Sequence, residues 1–174
     1  MMKKLITIIT LILLLSSCSN RNNYYVLSFD NYSLAVGYDD VEFLKLVFTI
    51  DSDEIMQPNE LRENVEVLFW DRHFAYMDII NYKKKEIDID KAIVCKADIY
   101  LSNLEMETYK INGIELSSSV KENCKKFNGE LVERNGYACV IGKQVDDKDN
   151  VVVLHGDIYN VDQDLLSRIE IYVK

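Results

Sequence analysis

Residues 130–141, ELVERNGYACVI, are the segment of this sequence that most clearly decides the fold. Asn135-Gly136 separates two runs that are rich in apolar and β-branched residues. An Asn-Gly pair in this position favours a tight turn whose twist matches that of antiparallel strands. The segment therefore predicts a β-hairpin, with strands over residues 130–132 and 137–141.

A short helix is predicted just before this hairpin, over Val120–Phe127. Ser117, Ser118 and Ser119 offer an N-cap, and Asn128-Gly129 supplies residues suited to a left-handed C-cap. Further strands are predicted over residues 109–116, bent at Asn112-Gly113, and over 151–159 and 165–173, with a polar turn at 146–150. The second half of the chain thus has a β-α-β-β-β-β pattern.

The first half is dominated by alternation of apolar and polar residues, which is typical of half-buried strands. In residues 44–50, for example, Leu44, Leu46, Phe48 and Ile50 fall on one face. Strands are predicted over residues 24–29, 44–50, 65–70, 75–80, 87–89 and 93–101. A short helix capped by Asn59 is expected within residues 59–66. This number of strands predicts a β-sandwich-like segment.

The fold class is therefore predicted as mostly β or α+β. Hydrophobic residues make up 48% of the chain, which is enough apolar material for a folded core. A boundary within residues 104–108 would divide a β-rich domain, 24–107, from a small α+β domain, 108–174. One continuous sheet through both halves is the alternative.

The first 17 residues are predicted to be a signal peptide. Lys3 and Lys4 precede an apolar run over residues 5–15, and Ser16 and Ser17 follow it. A helix of eleven residues spans only about 16 Å, roughly half the thickness of a bilayer core. The run is therefore too short to be a transmembrane segment.

The residues that end this leader, Leu15-Ser16-Ser17-Cys18, resemble the lipobox of bacterial lipoproteins. The resemblance implies cleavage after Ser17, a diacylglyceryl group on the Cys18 sulfur and lipid anchoring at the extracytoplasmic face of the cell membrane. Residues 18–23 would then be the lipidated cysteine and a short tether. The two halves of the mature chain look like immunoglobulin-type accessory domains and small α+β domains of other surface lipoproteins.

The charge balance excludes one class of partner. The chain has 20 Lys+Arg against 29 Asp+Glu, and loss of Lys3 and Lys4 with the leader takes the net charge from −9 to −11. Nucleic-acid binding needs a basic face, so DNA or RNA is not expected as a partner. Basic residues concentrate at residues 83–85 and on the predicted helix. They are either ordinary solvated charges or faces turned toward an anionic bilayer.

Three cysteines remain after Cys18, namely Cys95, Cys124 and Cys139. A disulfide between Cys124 and Cys139 would close a loop of about 15 residues and stabilise the fold by about 3 kcal/mol. The alternative is that all three are small apolar side chains in the core. Either way, one thiol at least stays unpaired within the chain.

No motif for catalysis, metal or cofactor binding is present. His73 and His155 lack the spacing of metal ligands, and there is no Gly-x-Ser-x-Gly nucleophile motif or phosphate-binding loop. The acidic clusters, such as residues 51–54 and 146–149, lack the glycine that a calcium loop requires. Aromatic residues around Trp70 fit core packing or an exposed binding patch. We therefore expect no cofactor and no metal.

Two classes of function are compatible with these observations. The first is a non-enzymatic binding or structural module of the cell envelope, with membrane lipid and an unknown envelope protein or ligand as partners. The alternative is an envelope hydrolase, or an inhibitor of one, whose site has no recognisable motif.

Replacement of Cys18 tests the lipobox interpretation. The Cys18→Ala variant should take up no labelled fatty acid and should be cleaved poorly after Ser17, because no other leader side chain offers a thiol. Metabolic labelling with a radioactive fatty acid measures this. Labelling that persists in the variant would contradict the lipobox.

Overall fold

The computed structural model describes residues 23–29, 32–44, 54–69, 73–101, 109–133, 136–145, 147–159 and 162–174. Across these residues the fold is mostly β, as predicted, with two short α-helices and a 3-10 helix at Ile89–Lys91. The α-helices are α1, Val41–Leu44, and α2, Val120–Phe127. The strands are β1 Val26–Phe29, β2 Tyr32–Ala35, β3 Ile55–Met56, β4 Leu61–Phe69, β5 His73–Ile80, β6 Ile87–Asp88, β7 Ile93–Tyr100, β8 Tyr109–Ile111, β9 Ile114–Glu115, β10 Glu130–Glu133, β11 Tyr137–Val145, β12 Lys148–Gly156 and β13 Leu166–Val173.

A seven-stranded antiparallel sheet forms the main layer, in the order β10-β11-β12-β13-β7-β5-β4. A four-stranded sheet, β2-β1-β8-β9, and the β3-β6 pair complete the described strands. In the large sheet, β13 pairs with β7, with Ile169 opposite Ile99. This pairing joins the last strand of the chain to a strand of its first half.

The division into two domains at residues 104–108 is therefore not how the sheets are built. The large sheet takes three strands from residues 24–107 and four from 108–174, and β1 of the first half pairs with β8 of the second. The continuous-sheet alternative describes this arrangement. Its physical reason is that β7 and β13 each carry a row of apolar side chains that they bury in the same core.

One face of the large sheet packs around a single main core. Ile99, Leu154 and Ile169 of this face are fully buried. The smaller sheet contributes Leu27 and Tyr109 to the same cluster, and α2 contributes further side chains. The helix and the smaller sheet thus lie against the inner face of the large sheet, while its other face points away from this core.

The local predictions in the second half are confirmed. Ser119 caps α2 by accepting a hydrogen bond from the Glu122 amide at 3.1 Å, and Asn128 adopts the left-handed conformation with φ 51°. The hairpin pairs β10 with β11, and β8 pairs with β9 across Asn112-Gly113. Strand β12 begins at Lys148, so the turn predicted over residues 146–150 is shorter than expected.

The helix expected within residues 59–66 is wrong. Asn59 is a turn residue with φ 59°, and the chain enters β4 at Leu61, which pairs with Ile80. Val67 of this strand is buried in the core. Pairing with β5 and burial of alternate side chains therefore override the weak local signal of a helix cap.

Other predictions fall partly or wholly outside the described residues. Leu44 ends α1, and residues 45–50 of the strand predicted there are outside the described part. The leader with Cys18, the tether up to residue 22 and the proposed boundary at 104–108 are outside it as well. No helix of the described residues is long and apolar enough to span a membrane.

Removal of the α2 cap should destabilise the domain. Ser119 Oγ accepts from the Glu122 amide and donates to Asp164 Oδ2 at 2.7 Å, so Ser119→Ala should lower the free energy of unfolding by about 1–2 kcal/mol. Urea unfolding followed by circular dichroism measures the change. Ser118→Ala, at the exposed neighbouring serine, is the matched control and should stay close to the parent.

Candidate functional site

The outward face of the large sheet carries a group of charged side chains at its centre. Alternation along β13 turns Ile169 and Ile171 into the core and therefore places Arg168 and Glu170 on the opposite face. Neighbouring strands β7 and β12 add residues to this face. The resulting charged network consists of Lys96, Asp98, His155, Arg168 and Glu170.

Strand register forces two like charges together in this network. Asp98 on β7 lies directly opposite Glu170 on β13, an arrangement that is unfavourable unless cations intervene. Arg168 supplies one: its Nε donates to Asp98 Oδ1 at 2.7 Å and its Nη2 to Glu170 Oε2 at 3.2 Å. Lys96 Nζ lies 3.2 Å from Glu170 Oε1. The two carboxylates are thus each paired with a cation.

His155 completes the environment of Glu170, since its Nε2 lies 3.1 Å from Glu170 Oε2. This hydrogen bond, together with Lys96 and Arg168, lowers the pKa of Glu170 to about 2 despite partial burial. Burial raises the pKa of Asp98, and its ion pair with Arg168 offsets that effect only in part. Glu170 is therefore a fixed anion at physiological pH, and it accepts hydrogen bonds from three side chains.

Exposed aromatic rings border the network. Tyr76 and Tyr100 are 37% and 44% exposed, and their rings meet edge to face with centroids 6.1 Å apart. The Arg168 guanidinium carbon lies 5.7 Å from the centre of the Tyr100 ring. Ile158 and Tyr159, in the turn after β12, are 52% and 93% exposed.

Two depressions lie beside the network. The first has a volume of about 590 Å³ and is lined by residues that include Tyr100, His155, Tyr159 and Arg168. The second, of about 450 Å³, is lined by residues that include Cys95, Lys96, Glu170 and Lys174. His155 borders both depressions, so it lies between them on the same face.

The Cys95 thiol and the tyrosine and arginine side chains offer different chemistry on this face. Burial and the nearby Asp78 carboxylate raise the pKa of Cys95 to about 11, so its thiol is protonated at neutral pH and is a poor nucleophile. Among the described residues, no group of three His, Cys, Asp or Glu side chains could hold a metal ion. Tyrosine and arginine, by contrast, are the residue types that dominate the energetics of binding surfaces.

Among the described residues that the sequence singled out, His155 and Cys95 line depressions of this face, and Tyr76, one of the aromatic residues near Trp70, is exposed on it. His73 is on β5, and its side chain is outside what the structure describes, as is that of Trp70. Lys96, Asp98, Arg168 and Glu170 were not singled out. The polar positions of the alternating run 165–173 were a signal for two of them, and the other two lie on the strand predicted over residues 93–101, but the pairing of these two strands was not predictable.

Cys124 and Cys139, the predicted pair, lie together in the core. Both are buried free thiols, and the Cys139 thiol forms a hydrogen bond with that of Cys124. Burial is the larger cause of the raised pKa of the Cys139 thiol, and its contact with Cys124 is the smaller cause. The disulfide itself stays a prediction, and Cys95 is separate from the pair, with its thiol donating to the Asp78 carbonyl at 3.3 Å.

Glu170 should make the stability of the domain depend on pH in acid. Its pKa is about 2 in the folded state against an ordinary value of 4.5, so its contribution is complete above about pH 4.5 and is lost as the pH falls toward 2. Glu170→Gln should therefore lower stability at neutral pH and flatten its decline below about pH 4.5. Urea unfolding across this pH range measures both effects. Glu66→Gln, at an exposed carboxylate of β4, is the control, and an equal flattening there would contradict the assignment.

Comparison with known proteins gives no relative of this chain. No family model matches it. No curated protein matches it, and no solved structure does.

Proposed function

We propose that the protein is a membrane-anchored bacterial surface lipoprotein that acts as a non-enzymatic binding module of the cell envelope. The observation that carries the binding part is the outward face of the large sheet. There, a charged network with its own internal ion pairs is bordered by exposed Tyr76, Tyr100 and Tyr159. The anchoring part is supported by the sequence Leu15-Ser16-Ser17-Cys18.

The internal pairing of the network supports binding because it fixes donors and acceptors before a partner arrives. Arg168 is held by Asp98, by Glu170 and by its contact with the Tyr100 ring. A guanidinium held in this way loses little conformational freedom when it contacts a partner. A rigid polar centre beside exposed tyrosines is an arrangement suited to an envelope protein or to a polar ligand.

The alternative is an envelope hydrolase or an inhibitor of one. A hydrolase of this kind would use His155 and Glu170, whose contact of 3.1 Å is within reach of a base and the group that orients it. The contacts of Glu170 argue against a hydrolase. Its carboxylate also accepts hydrogen bonds from Lys96 and Arg168, so both of its oxygens are already occupied. An inhibitor would bind its enzyme through the same face as any other binding module.

Site-directed photocrosslinking in intact cells tests the binding proposal. A photoreactive amino acid in place of Tyr100 should give a discrete crosslinked product, whereas the same group in place of Leu131, which is 45% exposed on edge strand β10, should not. Tyr159→Ser should weaken the product at position 100, because Tyr159 lines the same depression. Ile114→Ser, at an exposed residue of β9 in the smaller sheet, should leave it unchanged.

Enzyme assays distinguish the hydrolase alternative from the binding proposal. The purified mature protein should not turn over peptidoglycan or generic ester and peptide substrates. Turnover that is abolished in Glu170→Gln would contradict the non-enzymatic proposal and would identify the hydrolase. Crosslinking of equal yield from positions 100 and 131 would contradict the assignment of the binding face.

A further inference from the structure

The strands of the large sheet define two ends of the domain, and the start of the folded chain lies at one of them. Tyr25 donates its amide to Asn150 Oδ1 at 2.6 Å, near the beginning of β12. Tyr24 packs with Val145, at the end of β11, and with Val173, at the end of β13. The chain that leads back to Cys18 therefore leaves the domain at this end, which we call the tether end.

Three consecutive lysines project from the same end. Strand β5 finishes at Ile80, which pairs with Ile93 at the start of β7, and the next residues form an exposed turn. We call residues 82–85, Tyr-Lys-Lys-Lys, the lysine turn. Lys148, at the start of β12, places its Nζ 4.2 Å from the centre of the Tyr82 ring. This contact connects the lysine turn to the strand end that holds Tyr25.

A fully buried asparagine holds the lysine turn in shape. Asn81 is 0% exposed, and its Nδ2 donates to the carbonyls of Gln57 and Lys85, both at 2.9 Å. Its Oδ1 accepts the Lys83 amide at 2.8 Å. Since a buried amide must satisfy these groups to be tolerated, the turn is built to keep one conformation. Lys83, Lys84 and Lys85 are exposed all the same.

The lysines of the tether end are concentrated in one turn. This end carries the lysine turn and also Lys148 and Lys174, and its acidic residues include Asp40, Glu60, Glu86, Asp147 and Asp149. The opposite end, around the turn between β12 and β13, carries acidic residues that include Asp157, Asp162 and Asp164. In a chain with a net charge of −9, the only run of three consecutive lysines is thus at the end where the chain departs for the anchor.

The length of the tether restricts which end can meet a membrane. Residues 19–23 reach at most about 17 Å when fully extended. A strand of nine residues such as β12 is about 30 Å long. The tether end can therefore contact the surface that holds Cys18. An upright domain, meaning one whose strands stand perpendicular to the membrane, keeps its acidic end well away from that surface.

We propose that the lysine turn, which includes Tyr82, forms a membrane-contact site that binds the anionic headgroups of the bilayer to which the protein is anchored. This inference rests on the proposed lipid anchoring. Each lysine close to an anionic surface strengthens membrane binding. Tyr82, which is 47% exposed beside them, supplies a ring suited to the headgroup region. The contact would hold the domain upright and keep the charged network turned to the side.

Vesicle binding by the mature chain without its lipid tests this site directly. Residues 18–174 with Cys18→Ser should sediment with vesicles in which about a third of the lipid is phosphatidylglycerol, and not with pure phosphatidylcholine. Added salt should weaken the binding. Lys84→Glu/Lys85→Glu should reduce the partition coefficient about tenfold or more.

The second basic pair of the chain provides a matched control. Lys125 and Lys126 are also adjacent and exposed, on α2, so Lys125→Glu/Lys126→Glu changes the net charge by the same amount. Its partition coefficient should change less than about twofold. Equal losses in the two double variants, or a larger loss in the α2 variant, would overturn the inference, and so would the absence of binding that depends on phosphatidylglycerol.

A fluorescence measurement supports or rejects the site independently of affinity. Tyr82→Trp should show a blue shift on addition of the anionic vesicles, whereas Tyr159→Trp, at the opposite end and 93% exposed, should not. A shift at position 159 alone would overturn the inference. Because both tests use unlipidated protein, their failure leaves the anchoring through Cys18 untouched, and failure of fatty-acid labelling leaves these results standing.

Discussion

The antiparallel pairing of β13 with β7 is the interaction on which the rest of the structure depends. It joins residues about seventy positions apart, with Arg168 opposite Tyr100 and Ile171 opposite Ala97. On the inner face this pairing places apolar side chains of both halves in one core. On the outer face the same pairing creates the charged network, because Asp98 and Lys96 belong to β7 while Arg168 and Glu170 belong to β13.

The network contributes more to the specificity of this pairing than to its strength. Partly exposed ion pairs are worth only about 0–1 kcal/mol each, far less than the burial of Ile99 and Ile169. A shift of β13 by one residue would turn its isoleucines outward and would also separate Arg168 from Asp98. The apolar and the charged rows therefore select the same register.

Elements whose signals lie within a few residues could be predicted from the sequence. The cap at Ser119, the left-handed Asn128 and the hairpin around Gly136 each depend on local backbone geometry. The prediction of a helix after Asn59 was wrong because the residues from Leu61 onward pair with β5, and a local pattern does not reveal which segments pair. The charged network could not be predicted for the same reason. Each strand showed its polar positions, but their assembly depends on pairing between strands that are far apart in the sequence.

The two proposed surfaces lie on different parts of the same sheet. Membrane contact through the lysine turn would occur at one end of the strands, whereas the charged network lies on a face that runs parallel to them. In an upright domain this face stands perpendicular to the bilayer. Its depression at Lys174 then lies near the lipid, and the depression at Tyr159 lies toward the far end of strands about 30 Å long. The sheet would therefore offer a partner a lateral approach with both depressions accessible, since anchoring occupies neither of them.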